Sequence, residues 1–337
     1  QKAKEITPII TEIVSEINGL NYLDNWLHLK KLKRLFIVTG KSSFKLSGAS
    51  EKLKLVFMKY ECSYFSSFST NPKYEEAISG IELYKKSNAD VVIGGPPCQP
   101  WSETGKNLGR KDSRDGFPAF IHCVKQVQPK LFIAENVKGL TFEKNKKYLS
   151  YIIRQFEDLG YEVESKVIRM VNHSLPQKRE RLFIIGHHGG FNFPKEKDII
   201  FTVEDALGPW ARQEPSECKY LTPSEDRYIA SYEKKCQLRN SRDLHLDKPS
   251  RTLTCRNLSG STSDMIRLSL ASGRRRKIRV KEAARIQGFP DWFEFTGSES
   301  SCFNQIGQSV PPLFSRQLAL SVLEYLKSKN IPLITSE

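Results

Sequence analysis

A cysteine on a rigid turn is the residue of this sequence best suited to covalent chemistry. Cys98 stands in Gly94-Gly95-Pro96-Pro97-Cys98-Gln99-Pro100-Trp101-Ser102, directly after the apolar run Val91-Val92-Ile93. Such a run is typical of a buried parallel strand, and open α/β sheets place ligands at the carboxyl ends of their strands. Because a thiol needs suitable neighbours to act as a nucleophile, Cys98 is either that nucleophile or a buried cysteine beside a turn.

Three further motifs place polar groups at the ends of predicted elements. Glu135 closes an apolar strand in Glu135-Asn136-Val137, where a parallel neighbour can bring it close to Cys98. In Gln177-Lys178-Arg179-Glu180-Arg181, alternation along an extended chain puts Gln177, Arg179 and Arg181 on one face. A turn over residues 304–312 opens a helix. Each motif alone fits an exposed carboxylate, a solvated edge or a plain helix start, but their combination favours an active site.

The elements that must position these groups alternate between strands and helices. The apolar pattern predicts strands at 35–39, 91–93, 130–134 and 181–186, and helices at 119–127, 148–159, 280–287 and 312–326. This alternation predicts an α/β fold with a doubly wound, mainly parallel sheet. The stretch from Pro209 to Leu270 is polar and has no long periodic segment, which indicates a smaller, irregular inserted lobe.

Composition narrows the class of protein. The 337 residues carry a formal net charge of +15, which favours a polyanionic partner, nucleic acid first, over a merely solvated basic surface. None of the seven cysteines forms a CxxC pair, so we expect no zinc site, no disulfide framework and a reducing compartment, the cytoplasm. No apolar run approaches the roughly 20 residues that span a bilayer, so we expect no membrane partner.

From about Asp90 to its end, the chain resembles the DNA cytosine-5 methyltransferase family. The resemblance lies in Pro-Pro-Cys-Gln, Glu-Asn-Val, Gln-x-Arg-x-Arg and Gly-x-x-Val-Pro-Pro, the last at Gly307 to Pro312. It extends to the segments Arg251-Thr252-Leu253-Thr254 and Glu282-Ala283-Ala284-Arg285-Ile286-Gln287-Gly288-Phe289-Pro290. Membership implies a Rossmann-like methyltransferase core, double-stranded DNA as substrate and S-adenosyl-L-methionine as methyl donor.

The resemblance also implies a role for each motif residue. Cys98 would add to C6 of a cytosine, turning the ring into an enamine that accepts a methyl group at C5. Glu135 would hold the N3 and amino edge, and Arg181 the O2 side. Arg179 would help to hold the site and a nearby phosphate. Because a stacked base cannot be reached, the target cytosine must be rotated out of the duplex.

Further residues are implied at the donor and DNA sites. The family pattern places the methyl donor beside Pro97, Ser309 and Val310. It places DNA beside Gln99, Ser102, Gln177 and Arg256. By position, the lobe resembles the family's target-recognition domain, and its arginines are candidates for phosphate or base contacts: Arg239, Arg242, Arg251, Arg256 and the run Arg274-Arg275-Arg276-Lys277.

The amino-terminal part departs from this pattern, because no Phe-x-Gly-x-Gly donor loop occurs in it. Its segments are similar to the first half of iron-dependent alcohol dehydrogenases: residues 36–44, 47–48, 68–72, 80–81 and 89–95. We therefore predict four segments: an atypical one at 1–93, a catalytic core at 94–208, the recognition lobe at 209–270 and a return to the core at 271–337.

Three readings follow from this departure. The first is an active DNA cytosine-5 methyltransferase, with a second chain as a candidate source of the missing donor strands. The second is a DNA-binding pseudo-methyltransferase without a complete donor site. The third is a nucleotide-binding dehydrogenase fragment.

Overall fold

The computed structural model describes most of the chain from residue 91 onward and two strands before it. It gives the backbone of Arg34–Val38 and Glu61–Phe65. It gives the full structure of residues 58, 91–96, 100–101, 115–237, 241–260 and 263–329. In these ranges, no helix is both long enough and apolar enough to cross a membrane. Pro97, Cys98, Gln99, Ser102 and Arg239 lie outside the described residues.

Eight strands and eight α-helices make up the described elements. The strands are β1 (Arg34–Val38), β2 (Glu61–Phe65), β3 (Val91–Gly94), β4 (Leu131–Val137), β5 (Glu162–Arg169), β6 (Glu180–His187), β7 (Arg267–Ser269) and β8 (Arg275–Lys277). The helices are α1 (Phe117–Val127), α2 (Glu143–Glu157), α3 (Val203–Leu207), α4 (Pro223–Lys235), α5 (Cys255–Ser259), α6 (Val280–Ile286), α7 (Glu299–Gln308) and α8 (Pro312–Ser328).

The main described sheet has the strand order β3-β4-β6-β5 and is mixed. β3 runs parallel to β4, whereas β6 runs antiparallel to β4. β1 and β2 form a separate parallel pair. The α/β alternation agrees with the prediction, but the described sheet is less parallel than predicted. The link from β5 to β6 explains part of this difference, because it holds only a short 3-10 turn, Met170–His173, and no crossover helix.

The chain divides into two compact units, which are described separately. The first, called the sheet unit, comprises the described residues of Asn18–Ile168, Glu180–Pro194 and Ala319–Glu337. Its core is centred on the fully buried Phe132, whose ring centroid lies 4.2 Å from that of Phe156 and 5.1 Å from that of Tyr161. Gly186 stands opposite Phe132 in the ladder, and a Cβ there would lie 1.9 Å from the Phe132 ring. The aromatic core therefore requires a glycine on β6.

The edge strand β5 has no counterpart in the predicted elements. Its sequence Glu-Val-Glu-Ser-Lys-Val-Ile-Arg buries only Ile168 completely, so it lacks the apolar run that predicts a buried strand. A buried histidine on β6 contacts it: Glu164 Oε1 lies 3.1 Å from Nε2 of His187. The Gly189 amide donates to Nδ1 of the same ring. Both ring nitrogens of His187 are thereby engaged within the chain.

The second unit, called the lobe unit, contains Arg169–Arg179 and Lys195–Leu318. Its core is built from buried aliphatic side chains of several short elements, among them Leu253, Ile266, Leu268 and Ile306. The predicted lobe at 209–270 is less irregular than the sequence indicates. It contains the 13-residue helix α4 and the strand β7, which pairs with β8 just beyond residue 270. Sequence periodicity missed α4 because Ile229 is its one buried residue. A capping box between Thr222 and Glu225 starts this helix.

A buried ion pair ties β8 to α6 within the lobe unit. The Arg276 guanidinium donates to both Glu282 carboxylate oxygens at 2.8 and 2.9 Å, and both side chains are fully buried. Burial acts to raise the pKa of Glu282, but hydrogen bonds from Arg276 and Arg279 outweigh it and hold this pKa below its ordinary value. The carboxylate therefore stays ionised inside the core of the lobe unit.

Replacing Glu282 by Gln is expected to destabilise the protein by about 3–5 kcal/mol at pH 7, because it leaves the buried Arg276 without its charged partner. A depressed folded-state pKa gives stability that is present above the unfolded value of about 4.3 and is lost as pH falls through the folded value. Urea denaturation from pH 7 to pH 3 should therefore show less acid destabilisation for Glu282→Gln than for the wild type.

The matched control is Glu214→Gln, which breaks the more exposed pair between Glu214 and Arg274. Exposed pairs contribute little, so this variant should unfold close to the wild type at pH 7. Equal midpoints for Glu282→Gln and Glu214→Gln would contradict the importance of the buried pair.

Candidate active site

Both ends of the turn that contains Cys98 are held by the sheet unit. β3 and β4 are parallel with Gly94 opposite Ala134, so the turn leaves the sheet where β4 presents Glu135 and Asn136. The buried Asn136 side chain donates from Nδ2 to the Pro96 carbonyl oxygen at 3.0 Å. One residue of the Glu-Asn-Val motif therefore fixes the backbone that enters the turn, two residues before Cys98.

The exit from the turn is anchored by Trp101. Its side chain is 1 % exposed and stacks on Tyr148 with the ring centroids 4.9 Å apart. The Trp101 carbonyl lies so close to Gly139 that a Cβ there would be 2.1 Å from its oxygen. Only a glycine fits at this approach. Pro96 and Trp101, the described residues on either side of Cys98, are thus both held by contacts within the sheet unit.

Glu135 and Arg181 form an ion pair across the β4/β6 ladder. Arg181 stands opposite Val137, two residues along from Glu135, so the two side chains share one face of the sheet. Nε of Arg181 lies 3.1 Å from Oε1 of Glu135, and the two side chains are 15 % and 23 % exposed. The pair thus presents a cation and a carboxylate, partly open, beside the Cys98 turn: a Cβ at Gly95 would lie 3.9 Å from Oε2 of Glu135.

Arg181 is also held by a hydrogen bond to the backbone of Glu180, whose own side chain pairs with Lys138. Nη1 of Arg181 donates to the Glu180 carbonyl oxygen at 2.8 Å. The Glu180 carboxylate in turn accepts from Nζ of Lys138 at 2.9 Å. Lys138 directly follows the Glu-Asn-Val motif, so the ends of β4 and β6 are joined by side chains as well as by the ladder.

Arg179 holds backbone carbonyls in the lobe unit. Its side chain is 1 % exposed, and its guanidinium donates to the carbonyl oxygens of Leu253, Gly307 and Ser309 at 2.9, 3.1 and 2.9 Å. This placement suits the predicted task of holding the site. The phosphate contact expected of Arg179 stays a prediction.

Gln177 is fully buried beside Arg179, although the sequence analysis expects it at the DNA. Its side-chain oxygen accepts from the Leu253 amide at 2.9 Å, and its Nε2 donates to Oε1 of Gln287 at 2.8 Å. Gln287 also donates to the Ser309 carbonyl oxygen at 3.0 Å. These hydrogen bonds give Gln177 a positioning role in the lobe unit, while its DNA contact stays a prediction. The same network adds Gln287, which the Gln-Gly-Phe-Pro segment already contains.

The turn with Ser309 and Val310 depends on a close backbone approach at Gly307. A Cβ at Gly307 would lie 2.5 Å from the Cys255 amide nitrogen, so α7 packs directly on the first turn of α5. Ser309 and Val310 follow and are half-buried. Arg256 on α5 is exposed, and its side chain has no partner among the described residues. These positions keep Ser309, Val310 and Arg256 as candidate binding residues.

Three described thiols are poor nucleophiles. Burial raises the pKa of Cys123 to about 11, and it also raises the pKa values of Cys218 and Cys302. Only a thiolate attacks carbon readily, so burial lowers the reactivity of these three cysteines near neutral pH.

Comparison with known proteins gives one family. The family model of C-5 cytosine-specific DNA methylases matches residues 40–324. A protein named Type II methyltransferase M.AplI, from Arthrospira platensis, is 50 % identical over 245 residues, which cover 72 % of this chain and 71 % of that protein. Type II methyltransferase M.PspPI, from Psychrobacter sp., is 31 % identical over 308 residues, which cover 80 % and 73 % of the two chains.

Solved structures share the fold. The Spodoptera frugiperda DNMT2 mutant aligns with a TM-score of 0.57 and 17 % identity, over 92 % of this chain and 98 % of its own. The Dnmt2 methyltransferase of S. pombe aligns with a TM-score of 0.55 and 14 % identity, over 88 % and 100 %. These likenesses confirm the predicted Rossmann-like methyltransferase fold.

The family match begins at residue 40, well before the start near Asp90 that the motifs indicate. Most of the segment predicted to be dehydrogenase-like therefore aligns with the methylase family. The comparisons do not favour the dehydrogenase fragment, and they give no support to a second chain that supplies donor strands. The domain boundaries at 93, 208 and 270 stay predictions.

Replacing Gly307 by Ala is expected to destabilise the lobe unit by about 1–3 kcal/mol, because the added methyl group meets the Cys255 backbone and cannot be relieved by a side-chain rotation. Urea denaturation measures the effect. Gly260→Ala is the matched control in the same unit, since a Cβ at Gly260 meets nothing within 4 Å. If both alanine variants unfold at the same urea concentration, the close approach of α7 to α5 is wrong.

Proposed function

Because the chain belongs to the family of C-5 cytosine-specific DNA methylases, we propose that it transfers a methyl group from S-adenosyl-L-methionine to C5 of a flipped cytosine in duplex DNA. The observation that carries the proposal is the Glu135–Arg181 pair beside the anchored Cys98 turn. A glutamate side chain and a guanidinium on one sheet face match the N3/amino edge and the O2 side of a cytosine ring.

Cys98 is the nucleophile of the proposed reaction. Its thiolate adds to C6, and the electron pair of the C5–C6 bond becomes available at C5 to attack the donor's methyl group, whose bond to sulfur breaks and leaves its electron pair on the departing thioether. The adduct then loses its C5 proton to a base, and the returning electron pair expels the Cys98 thiolate. Cytosine C5 reacts poorly without this addition, so a fixed thiol is the first requirement of the chemistry.

Glu135 and Arg181 handle the charge that develops on the ring. As the thiolate adds, negative charge moves towards N3 and O2, and a proton at N3 stabilises the adduct. Glu135 would hold the N3 and amino edge, and Arg181 would donate to O2. Their mutual ion pair keeps both side chains oriented in the free protein, since the ladder spaces them on one face.

The described residues are compatible with the methyl donor, which supplies an electrophilic methyl group. Near the end of β3, Gly95 is exposed, and among the described residues a Cβ there would have only Glu135 Oε2 within 4 Å, which leaves this backbone compatible with a bound molecule. In the lobe unit, Ser309 and Val310 are half-buried on a turn fixed by Arg179 and Gln287. Pro97 completes the proposed donor contacts.

DNA is the proposed substrate, and Gln99, Ser102 and Arg256 are its proposed contacts. The net charge of +15 suits a polyanion. Relatives named Type II methyltransferases support a place in restriction-modification. A reactive free thiol is compatible with the reducing cytoplasm, where we place the protein.

Replacing Cys98 by Ala is expected to abolish methyl transfer, because alanine has no thiolate that can add to C6. The measurement is incorporation of tritiated methyl groups from S-adenosyl-L-methionine into unmethylated genomic DNA, followed by bisulfite sequencing. Wild-type protein should mark cytosines at C5 within one sequence context, and Cys98→Ala should stay at background.

Cys236→Ser is the matched control, because Cys236 is exposed at the end of α4 and lies in none of the motifs. It should retain wild-type incorporation. Incorporation by Cys98→Ala would contradict the proposed nucleophile. Wild-type protein that binds DNA but neither binds the donor nor incorporates methyl groups would contradict the proposed reaction and favour the pseudo-methyltransferase.

Replacing Glu135 by Gln is expected to lower the rate of methyl transfer by about 10²–10⁴-fold, because the amide cannot deliver a proton to N3. Single-turnover incorporation at saturating DNA measures this rate. Glu143→Gln, which changes an exposed carboxylate on α2, should leave the rate unchanged. A Glu135→Gln variant as fast as Glu143→Gln would remove Glu135 from the mechanism.

A further inference from the structure

Most of the arginines that the sequence nominated for DNA contact are engaged inside the lobe unit. Arg242 and Arg251 share Asp264, at 2.9 and 2.6 Å. The remaining pairs join Arg267 to Glu233 and Asp243, Arg274 to Glu214, Arg275 to Asp226 and Arg276 to Glu282. Because these guanidiniums already have carboxylate partners, cations without such partners are better placed to contact phosphates.

Helix α4 separates its charges by face. Its three acidic residues point to the body of the lobe unit, where each has a cationic partner: Glu225 faces Lys277, Asp226 faces Arg275, and Glu233 accepts from Arg267. Ile229, on the same inward face, is fully buried. The acidic side of the helix is therefore neutralised by the lobe itself.

The opposite face of α4 carries cations without such partners. Arg227, Lys234 and Lys235 are exposed, and none of their side chains has a hydrogen-bond or ion-pair partner among the described residues. Tyr228 lies between them, 54 % exposed, and Ser231 completes the same face. From Arg227 to Lys235 this face runs about 12 Å along the helix axis, at about 1.5 Å per residue.

We propose that this face of α4, defined by Arg227, Tyr228, Ser231, Lys234 and Lys235, binds the sugar-phosphate backbone of the substrate DNA. The inference rests on the proposed function and assigns to α4 the phosphate contacts expected of the lobe. Cations free of internal partners can neutralise phosphates at no cost in broken ion pairs, and each releases a counterion from the DNA. Tyr228 adds a phenol that can donate to a phosphate oxygen.

The α4 face contributes affinity that does not depend on DNA sequence. Phosphate contacts position a protein on the duplex, whereas base contacts read its sequence. Loss of the three cations should therefore weaken binding to specific and non-specific duplexes alike. It should leave the methylated sequence context unchanged.

The test compares two triple variants that remove equal charge. Arg227→Gln/Lys234→Gln/Lys235→Gln strips the α4 face, and Lys125→Gln/Lys144→Gln/Lys147→Gln strips three exposed, unpaired lysines of α1 and α2 in the sheet unit. Fluorescence anisotropy with a labelled random-sequence duplex, measured across a salt series, gives the slope of log affinity against log salt. Thermal unfolding confirms that both variants are folded.

The α4 variant should lose about 2 to 3 units of that slope, since each phosphate contact contributes about 0.9. The sheet-unit variant should keep the wild-type slope. An α4 variant with the wild-type slope, or an equal loss in both variants, would overturn the proposal in favour of a solvated helix or a diffuse charge effect. Methyl incorporation and bisulfite sequencing of the same proteins keep this outcome separate from a failure of the methylation reaction itself.

Discussion

The antiparallel register of β4 and β6 is the constraint on which the site depends. It sets Arg181 opposite Val137 and so puts the guanidinium within 3.1 Å of the Glu135 carboxylate on one sheet face. A shift of one residue would turn one of the two side chains to the other face. Phe132 and Gly186 help to fix the register from the core side, because the Phe132 ring fills the space that any side chain at position 186 would occupy.

Many polar side chains of the motifs form hydrogen bonds that fix the backbone of neighbouring turns. Asn136 holds the Pro96 carbonyl, Arg179 holds three carbonyls, and Gln177 joins Leu253 to Gln287. A buried polar group is costly unless it is bonded, so such residues specify one arrangement of the turns around them. Cys98, Glu135 and Arg181 are the residues that we propose for contact with the ring of the base.

The sequence predicts an element when that element buries enough apolar side chains to give a periodic pattern. β4 and β6 are nearly continuous apolar runs and were predicted, whereas β5 is an exposed edge and α4 buries a single side chain, so neither shows a periodic signal. The motifs in the sequence predict Glu135 and Arg181 as site residues. Their ion pair could not be predicted, because it depends on the antiparallel pairing of β4 and β6, whereas the sequence predicts a mainly parallel sheet. Alternation predicts that Gln177, Arg179 and Arg181 share one face. In the structure, Gln177 and Arg179 are almost fully buried, whereas Arg181 is partly exposed.

The proposed reaction requires that Cys98 form a covalent bond to C6 of a cytosine held by Glu135 and Arg181. Duplex DNA in which 5-fluorocytosine replaces cytosine tests it directly, because fluorine cannot leave as a proton does and the adduct cannot eliminate the thiolate. After incubation with S-adenosyl-L-methionine, peptide mapping by mass spectrometry should find the modified nucleotide on Cys98 alone. A DNA adduct on another cysteine, or none from protein that methylates ordinary DNA, would contradict the account.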